Sequence, residues 1–204
     1  MEATVRTPER KLDGDKAQRI IAAMRSSVGA RGAAGSTFDQ VAQEAGVSRG
    51  LLHYYFGSKE RLLAEVVRAD CDLRMAGLEE QLARADSLEA IVRVLITSLE
   101  AFLEEDEGGE AALIYEMFSA SRHHEEMRAE MAELYRRIRA QVGGVLREKE
   151  REGIVNLRCD SDAVASILFA LADGMALQRL SDPGWDSGEA FAAGALTARH
   201  LLGG

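Results

Sequence analysis

This 204-residue chain predicts an all-α fold of about nine helices, with a small N-terminal unit ahead of a larger C-terminal one. Three observations carry that expectation. Apolar residues recur at helical spacing along most of the chain, and strand-like alternation is absent. Clusters of glycine and small polar residues cut the chain into helix-sized pieces. Charge is segregated: residues 1–68 hold 11 Lys and Arg against 8 Asp and Glu, a net +3, and the remainder holds 14 against 26, a net −12. The overall charge of −9 is thus an average over two unlike parts, and the first third is the basic one.

At 47% hydrophobic and 29% charged, with two prolines, the chain has the composition of a folded globular protein rather than a disordered one. No stretch approaches ~18 uninterrupted apolar residues, and the polar start at residues 1–15 lacks the apolar core of a signal peptide. A cytoplasmic protein is expected, with no membrane partner. Cys71 and Cys159 cannot form a disulfide framework and have no CxxC spacing, which fits a reducing compartment and calls for no cofactor.

In chain order, Ala17, Ile20, Ile21, Met24 and Val28 fall on one buried face of a first helix. Later segments repeat the pattern with Leu88, Ile91, Val92, Leu95, Leu99 and Phe102, then with Met127, Met131, Leu134, Ile138, Val142 and Val145. Breaks are expected at 29–36, 45–48, 57–58, 85–87, 106–109, 151–158 and 181–188. Asp15 and Thr37 each precede a Gln three residues on (Gln18, Gln40) in a capping-box arrangement, and Ser58 stands ahead of a long helical run. The acidic run 104–107 reads as a solvated helix end.

Between Phe38 and Tyr55 the sequence is FDQVAQEAGVSRGLLHYY, two short helical patterns around Gly46. Two closely crossing helices need a small residue at the contact, a glycine in the turn and a branched apolar residue returning to the same core; Ala42, Gly46 and Leu52 meet those demands. Val41, Ala45 and Val47 supply the remaining apolar positions, and Asp39, Gln43, Glu44, Arg49 and His53 face outward. An ordinary helical hairpin would satisfy the same pattern. The flanks argue for more, because four of the chain's eleven aromatics, Phe38, Tyr54, Tyr55 and Phe56, crowd here ahead of a Gly-Ser-Lys-Glu helix start. Tyrosine hydroxyls and a lysine beside free backbone N–H groups are what holding a phosphate backbone requires.

The segment 37–67, TFDQVAQEAGVSRGLLHYYFGSKERLLAEVV, closely resembles the DNA-binding region of TetR-family transcriptional regulators. The resemblance implies an all-helical homodimer in which three N-terminal helices bind double-stranded DNA, a connecting helix follows, and a larger C-terminal domain binds a small effector and dimerises. It implies a DNA-binding domain over 1–57 and an effector and dimerisation domain over 58–204, with the connecting helix at about 58–83. It further implies that Ser48 caps a recognition helix near a phosphate, that Arg49 and Gly50 lie against base edges, that Tyr55 and Lys59 anchor phosphates, and that Thr37 caps the supporting helix at the backbone. Arg49 is the residue suited to direct readout, since a guanidinium bonds bidentately to guanine O6 and N7. This chain departs from the family pattern at Leu51, His53 and Tyr54: histidine takes the usual place of a tyrosine, and tyrosine that of a histidine. Its base-reading surface is therefore expected to be its own.

The acidic C-terminal two thirds make an improbable DNA surface. Residues 162–180 are apolar nearly all round, and the last helical stretch is rich in Ala and Gly, so the resemblance implies a four-helix dimer interface involving Leu168, Leu171, Gly174, Met175, Gly194, Ala195 and Ala198. Burial within one subunit is the alternative. For the effector, the resemblance points to the central helices, with Phe102, Tyr115, Glu116, Met117, Phe118, His123, Met131, Tyr135, Phe169 and Asp173 as candidates; Met and aromatic residues at such spacing also serve as plain core. His123, His124, Glu125 and Glu126 cannot converge on one ion, because adjacent helical residues point about 100° apart, and no metal is expected. Trp185 reads as a loop plug. The chain carries no HExxH, GxSxG or Walker loop, so an enzyme is not expected. The expected activity is repression from a palindromic operator with release by a small molecule; activation, or control by a protein partner, would share the same first 68 residues.

Overall fold

The computed structural model describes residues 14–104 and 110–204, and the described residues form nine α-helices and no strand. They are α1 (Gly14–Gly35), α2 (Phe38–Ala45), α3 (Arg49–Phe56), α4 (Lys59–Arg84), α5 (Leu88–Glu104), α6 (Glu110–Ser121), α7 (Glu125–Arg151), α8 (Ser161–Ser181) and α9 (Gly188–Leu201). The acidic run 104–107 extends past the end of α5 into residues outside that description, as do the expected break at 106–109 and most of the polar opening.

Helices α1, α2 and α3 fold around Ile20, Met24, Val41 and Leu52, all fully buried, with Phe38 and Phe56 closing the edges. Local chemistry fixes each junction. Thr37 Oγ1 accepts from Gln40 N at 3.3 Å while Gln40 Oε1 accepts from Thr37 N at 3.0 Å, completing the capping box of α2. Gly46 closes α2 in the left-handed region (φ 67°), where a Cβ would be strained, and Val47 N donates back to Ala42 O at 2.9 Å. Ser48 and Ser58 cap α3 and α4, their hydroxyls accepting from Leu51 N and Arg61 N, both at 3.2 Å.

Two boundaries differ from expectation. The helix expected to end at 29–36 continues to Gly35 across a kink at Gly32 (φ 69°). Its last turn is held by Ser36 Oγ, which donates to Gly32 O at 2.9 Å and receives the Ser27 hydroxyl. Asp15 sits inside the first turn of α1 rather than at its cap, where its charge still complements the helix dipole.

Helix α4 joins the two parts. Its first half buries a broad face, Leu62, Leu63, Ala64, Val66 and Val67, and leaves Arg61 and Glu65 at the surface; its second half buries only Cys71, Met75, Leu78 and Leu82, a single stripe. It packs on α1 and α3 at one end and on α5, α6 and α7 along the rest, while in the C-terminal layer α7 packs on α8 and α6, and α5 on α9. Lys149, 5% exposed, donates from Nζ to Ala83 O at 2.8 Å and pairs with Glu152 at 2.9 Å, fastening the far end of α4 to α7.

The left-handed turn between α2 and α3 yields a stability test. Gly46→Ala should lower the unfolding free energy by about 1–2 kcal/mol, because an L side chain resists that conformation, and Gly46→Asn should cost less; urea denaturation of the three proteins measures both.

Candidate nucleic-acid interface and internal cavity

The capped starts of α2 and α3 lie side by side. Arg49, in the first turn of α3, donates from Nη1 to Asp39 Oδ2 in the first turn of α2 at 2.9 Å. Its Nε donates to His53 Nε2 one turn on, at 3.3 Å, and the other imidazole nitrogen lies 3.3 Å from Gly57 O. The Phe38 ring meets the imidazole edge-on with centroids 4.8 Å apart. Thr37, Ser48, Arg49, Gly50, His53 and Tyr54 are all exposed, and Leu51 and Tyr55 are half-buried. The Tyr54 and Tyr55 rings pack edge to face at 5.1 Å. Lys59 differs from a plain surface anchor: its Nζ donates to Ala33 O at 2.6 Å, so it already ties the start of α4 to the end of α1. This leaves two of its three N–H groups for any further acceptor. Every candidate of this set except Lys59 therefore sits on, or at the cap of, one short helix or its supporting helix.

A second feature lies in the C-terminal layer: a cavity of about 110 Å³ bounded by α4, α5, α6, α7, α8 and α9. Most of its wall is apolar. Its polar end is Asp173, whose Oδ2 accepts from the Tyr135 hydroxyl at 2.6 Å and whose backbone carbonyl accepts from the Tyr115 hydroxyl. Arg74 stands over the Phe102 ring, 4.3 Å from its centroid, as a cation–π pair. Burial raises the Asp173 carboxyl above its ordinary pKa, and the Tyr135 hydrogen bond and the Arg74 charge offset this only in part. Burial, with the Asp173 charge, pushes Tyr115 up to about 12 and Tyr135 upward as well, so both phenols are neutral donors.

Of the residues expected around an effector, Phe102, Tyr135, Phe169 and Asp173 line this cavity, and Tyr115 reaches it through Asp173. The others do not. Phe118 is 56% exposed on the outer side of α6, and His123 is exposed in the α6–α7 turn. Glu116 points toward Gly32 of α1; Met117 packs in a small recess between α4 and α7; Met131 is buried in the core away from the cavity wall. The resemblance pointed to the central helices as a whole, and these five lie on their surface, toward α1, or in the core away from the cavity. The expected dimer residues also divide. Leu168, Leu171, Met175, Gly194 and Ala198 line the cavity, and Met175 and Ala198 are 7% and 2% exposed within the protomer, so those two face its own interior. Gly174 and Ala195 are half-buried, with open space where a Gly174 Cβ would stand.

Arg74 was not singled out in the sequence, although it falls with Cys71, Met75 and Leu78 at i, i+3, i+4 and i+7 on the inward stripe of α4, where a charge is out of place. The exposed apolar side chains of the last layer are Ile167, Leu177 and Leu180 on α8 and Leu196 on α9. Helix α8 is long and apolar enough to cross a bilayer by length and composition alone, and 22% of that apolar window is buried inside the protomer. Among the described residues, no three His, Cys, Asp or Glu side chains are grouped to hold a metal ion.

Comparison with known proteins bears on both regions. Residues 20–66 match the family described as bacterial regulatory proteins of the tetR family, and residues 84–203 match the one described as the C-terminal part of BetI-type transcriptional repressors. The HTH-type transcriptional regulator BetI of Rhizobium meliloti is 26% identical over 181 residues, covering 84% of this chain and 81% of that protein. BetI of Agrobacterium fabrum is 35% identical over 95 residues; there the match spans 45% of this chain and 46% of its relative, about half of each. Solved structures share the fold: a TetR-family regulator from Rhodococcus sp. (TM-score 0.77, 20% identity, 93% of this chain and 99% of that one) is one. Others are FadR from Bacillus subtilis in complex with stearoyl-CoA (0.70, 19%, 91% and 96%) and a regulator from Saccharomonospora viridis in complex with choline (0.70, 20%, 93% and 96%). All of these relatives and neighbours are transcriptional regulators. With a helix-turn-helix unit at one end, a C-terminal helical layer at the other and matches covering both, the chain belongs to the TetR family of DNA-binding transcriptional regulators.

Proposed function

We propose that the chain is a homodimeric repressor that binds a palindromic operator through α3 and is released by a small molecule taken up in the cavity. One observation carries this reading: Arg74, Met75 and Leu78 of α4 form part of the cavity wall, while Lys59 at the start of the same helix is bonded to α1 of the helix-turn-helix unit. A ligand pressing on that wall acts on the element that supports α3. The C-terminal match to BetI-type repressors supports repression, and the neighbours bound to stearoyl-CoA and choline support a small-molecule effector.

On this reading residues 1–57 read DNA, residues 58–204 sense and dimerise, and the protein works in the cytoplasm, where its DNA is. Two copies would meet through the outward apolar faces of α8 and α9, where Ile167, Gly174 and Leu177 fall at i, i+7 and i+10 on α8 and Leu196 is exposed on α9. Two-fold symmetry then requires half-sites about 34–36 Å apart or a multiple of that. Charge reversal at this face is the direct check: Leu177→Glu combined with Leu196→Glu should give a folded monomer by analytical ultracentrifugation with greatly weakened operator binding.

Selecting duplexes from random DNA with the purified protein tests the whole reading. The expected product is a palindrome bound by two copies, and failure to enrich any duplex over competitor would refute it. Against the selected operator, Arg49→Ala should lose about 1–3 kcal/mol of discrimination at one symmetric base position.

Asp173 gives a pH-dependent prediction. Its folded-state carboxyl holds its proton more tightly than in the unfolded chain, so ionisation costs stability. That cost is absent below the ordinary carboxylate pKa of about 3.9 and complete once the pH exceeds the raised value. Asp173→Asn should therefore be more stable than the native chain at pH 7, with the gap closing toward pH 4 in urea titrations.

A further inference from the structure

We propose that Asp39 and His53 are positioning residues that hold the Arg49 guanidinium ready for base readout, so that a carboxylate outside the recognition helix sets how sharply this chain discriminates one base pair. The inference rests on the proposed role of Arg49 and goes beyond it by assigning two residues that act through it.

Both bonds come from the same planar group. Asp39 Oδ2 takes one Nη1 hydrogen at 2.9 Å and His53 Nε2 takes the Nε hydrogen at 3.3 Å. Nε2 can accept only if the imidazole carries its proton on Nδ1, and Nδ1 faces the Gly57 carbonyl at 3.3 Å, an acceptor that requires a proton there. The two partners thus agree on one tautomer. The imidazole is held in turn by the edge of Phe38, a residue only 7% exposed and fixed by the core. The chain of contacts runs Gly57 carbonyl, His53, Arg49, Asp39, with each donor facing an acceptor.

A guanidinium has five N–H groups in a rigid fork. Two are engaged here, and the three that remain include both on Nη2, enough for a bidentate contact to guanine. The arrangement contributes little to the fold: the side chains of Arg49 and Asp39 are 58% and 67% exposed, and ion pairs that exposed have small net effect on stability. A carboxylate on a face that meets phosphates also weakens attraction to arbitrary DNA. Its gain lies in specificity. Asp39 lowers the pull of Arg49 toward any phosphate, and with His53 it removes side-chain freedom that would otherwise be lost on docking.

The test measures dissociation constants of the full-length protein for its selected operator and for each single-base change in it, so that shifts in overall affinity cancel in the ratio. At the position that Arg49→Ala flattens, Asp39→Ala and His53→Leu should each reduce discrimination about two- to tenfold, the range expected for releasing one rotamer-rich side chain. His53→Gln, which keeps an acceptor, should restore most of it. In an Arg49→Ala background, Asp39→Ala should change discrimination no further. If Arg49→Ala flattens a position and Asp39→Ala leaves that position sharp, the positioning role is overturned while the base contact stands. If Asp39→Ala alters a different position, or still acts without Arg49, Asp39 reads DNA itself and the proposal fails. If Arg49→Ala flattens nothing, the base contact fails first and this inference with it.

Discussion

Helix α4 must be satisfied by two different neighbourhoods at once, and most of the architecture follows from how it manages this. Its first half carries a broad apolar face, Leu62, Leu63, Ala64, Val66 and Val67, that α1 and α3 cover on one flank and the C-terminal helices on the other, while Arg61 and Glu65 stay at the surface. Its second half offers one stripe, and Met75 and Leu78 of that stripe face the cavity. Lysine ammoniums reach backbone carbonyls at the two ends: Lys59, in α4, bonds Ala33 of α1, and Lys149 of α7 bonds Ala83 of α4. Between them, ion pairs from Asp70 to Arg25 of α1, and from Arg68 and Asp72 to Glu130 and Arg137 of α7, fix rotation about the helix axis. On the proposed reading, a helix tied at both ends would carry a displacement at its cavity end to the helix-turn-helix unit.

The short helices of that unit need a different kind of support. Eight-residue helices such as α2 and α3 are too short to persist on propensity alone, and their stability comes from caps and from packing against α1. The caps were readable because they are local: Thr37 with Gln40, Ser48 and Ser58 are each set by residues within three positions, and Gly46 by a backbone conformation that few other residues tolerate. The contacts that give Arg49 its orientation were not readable. Asp39 and Arg49 are ten residues apart across a turn, and that they meet depends on the crossing of two helices, which spacing does not specify.

The same distinction explains the C-terminal part. Helix positions and breaks were legible because period and glycine punctuation are one-dimensional properties. The side each helix turns toward which neighbour was not. Met117 and Met131 have the composition of pocket residues, and Met175 and Ala198 that of interface residues, yet α6 and α7 present the first two to the core and α8 and α9 turn the last two inward. A helix apolar all round, as α8 nearly is, gives no sequence signal for which face meets its own subunit. Arg74 shows the opposite case, since a charge on the inward stripe of α4 was a local anomaly that position alone could have flagged.

The cavity also carries an energetic argument for the proposed switch. A sealed core void of about 110 Å³ would forfeit packing worth about 2–3 kcal/mol; this cavity is partly open, so its cost lies below that, and a raised carboxyl at its end adds to it. Interiors are otherwise close-packed, so such a cost is retained where it serves a purpose. A ligand that fills the void recovers much of that energy, but only in the conformation that keeps the void open. Recovery of at most about 2–3 kcal/mol corresponds to a shift of at most roughly 30- to 150-fold between two arrangements of the fold, within the usual range of coupling between sites. On the proposed reading, that shift would reach the DNA-facing end through α4, which forms one wall of the cavity and is bonded to α1 through Lys59.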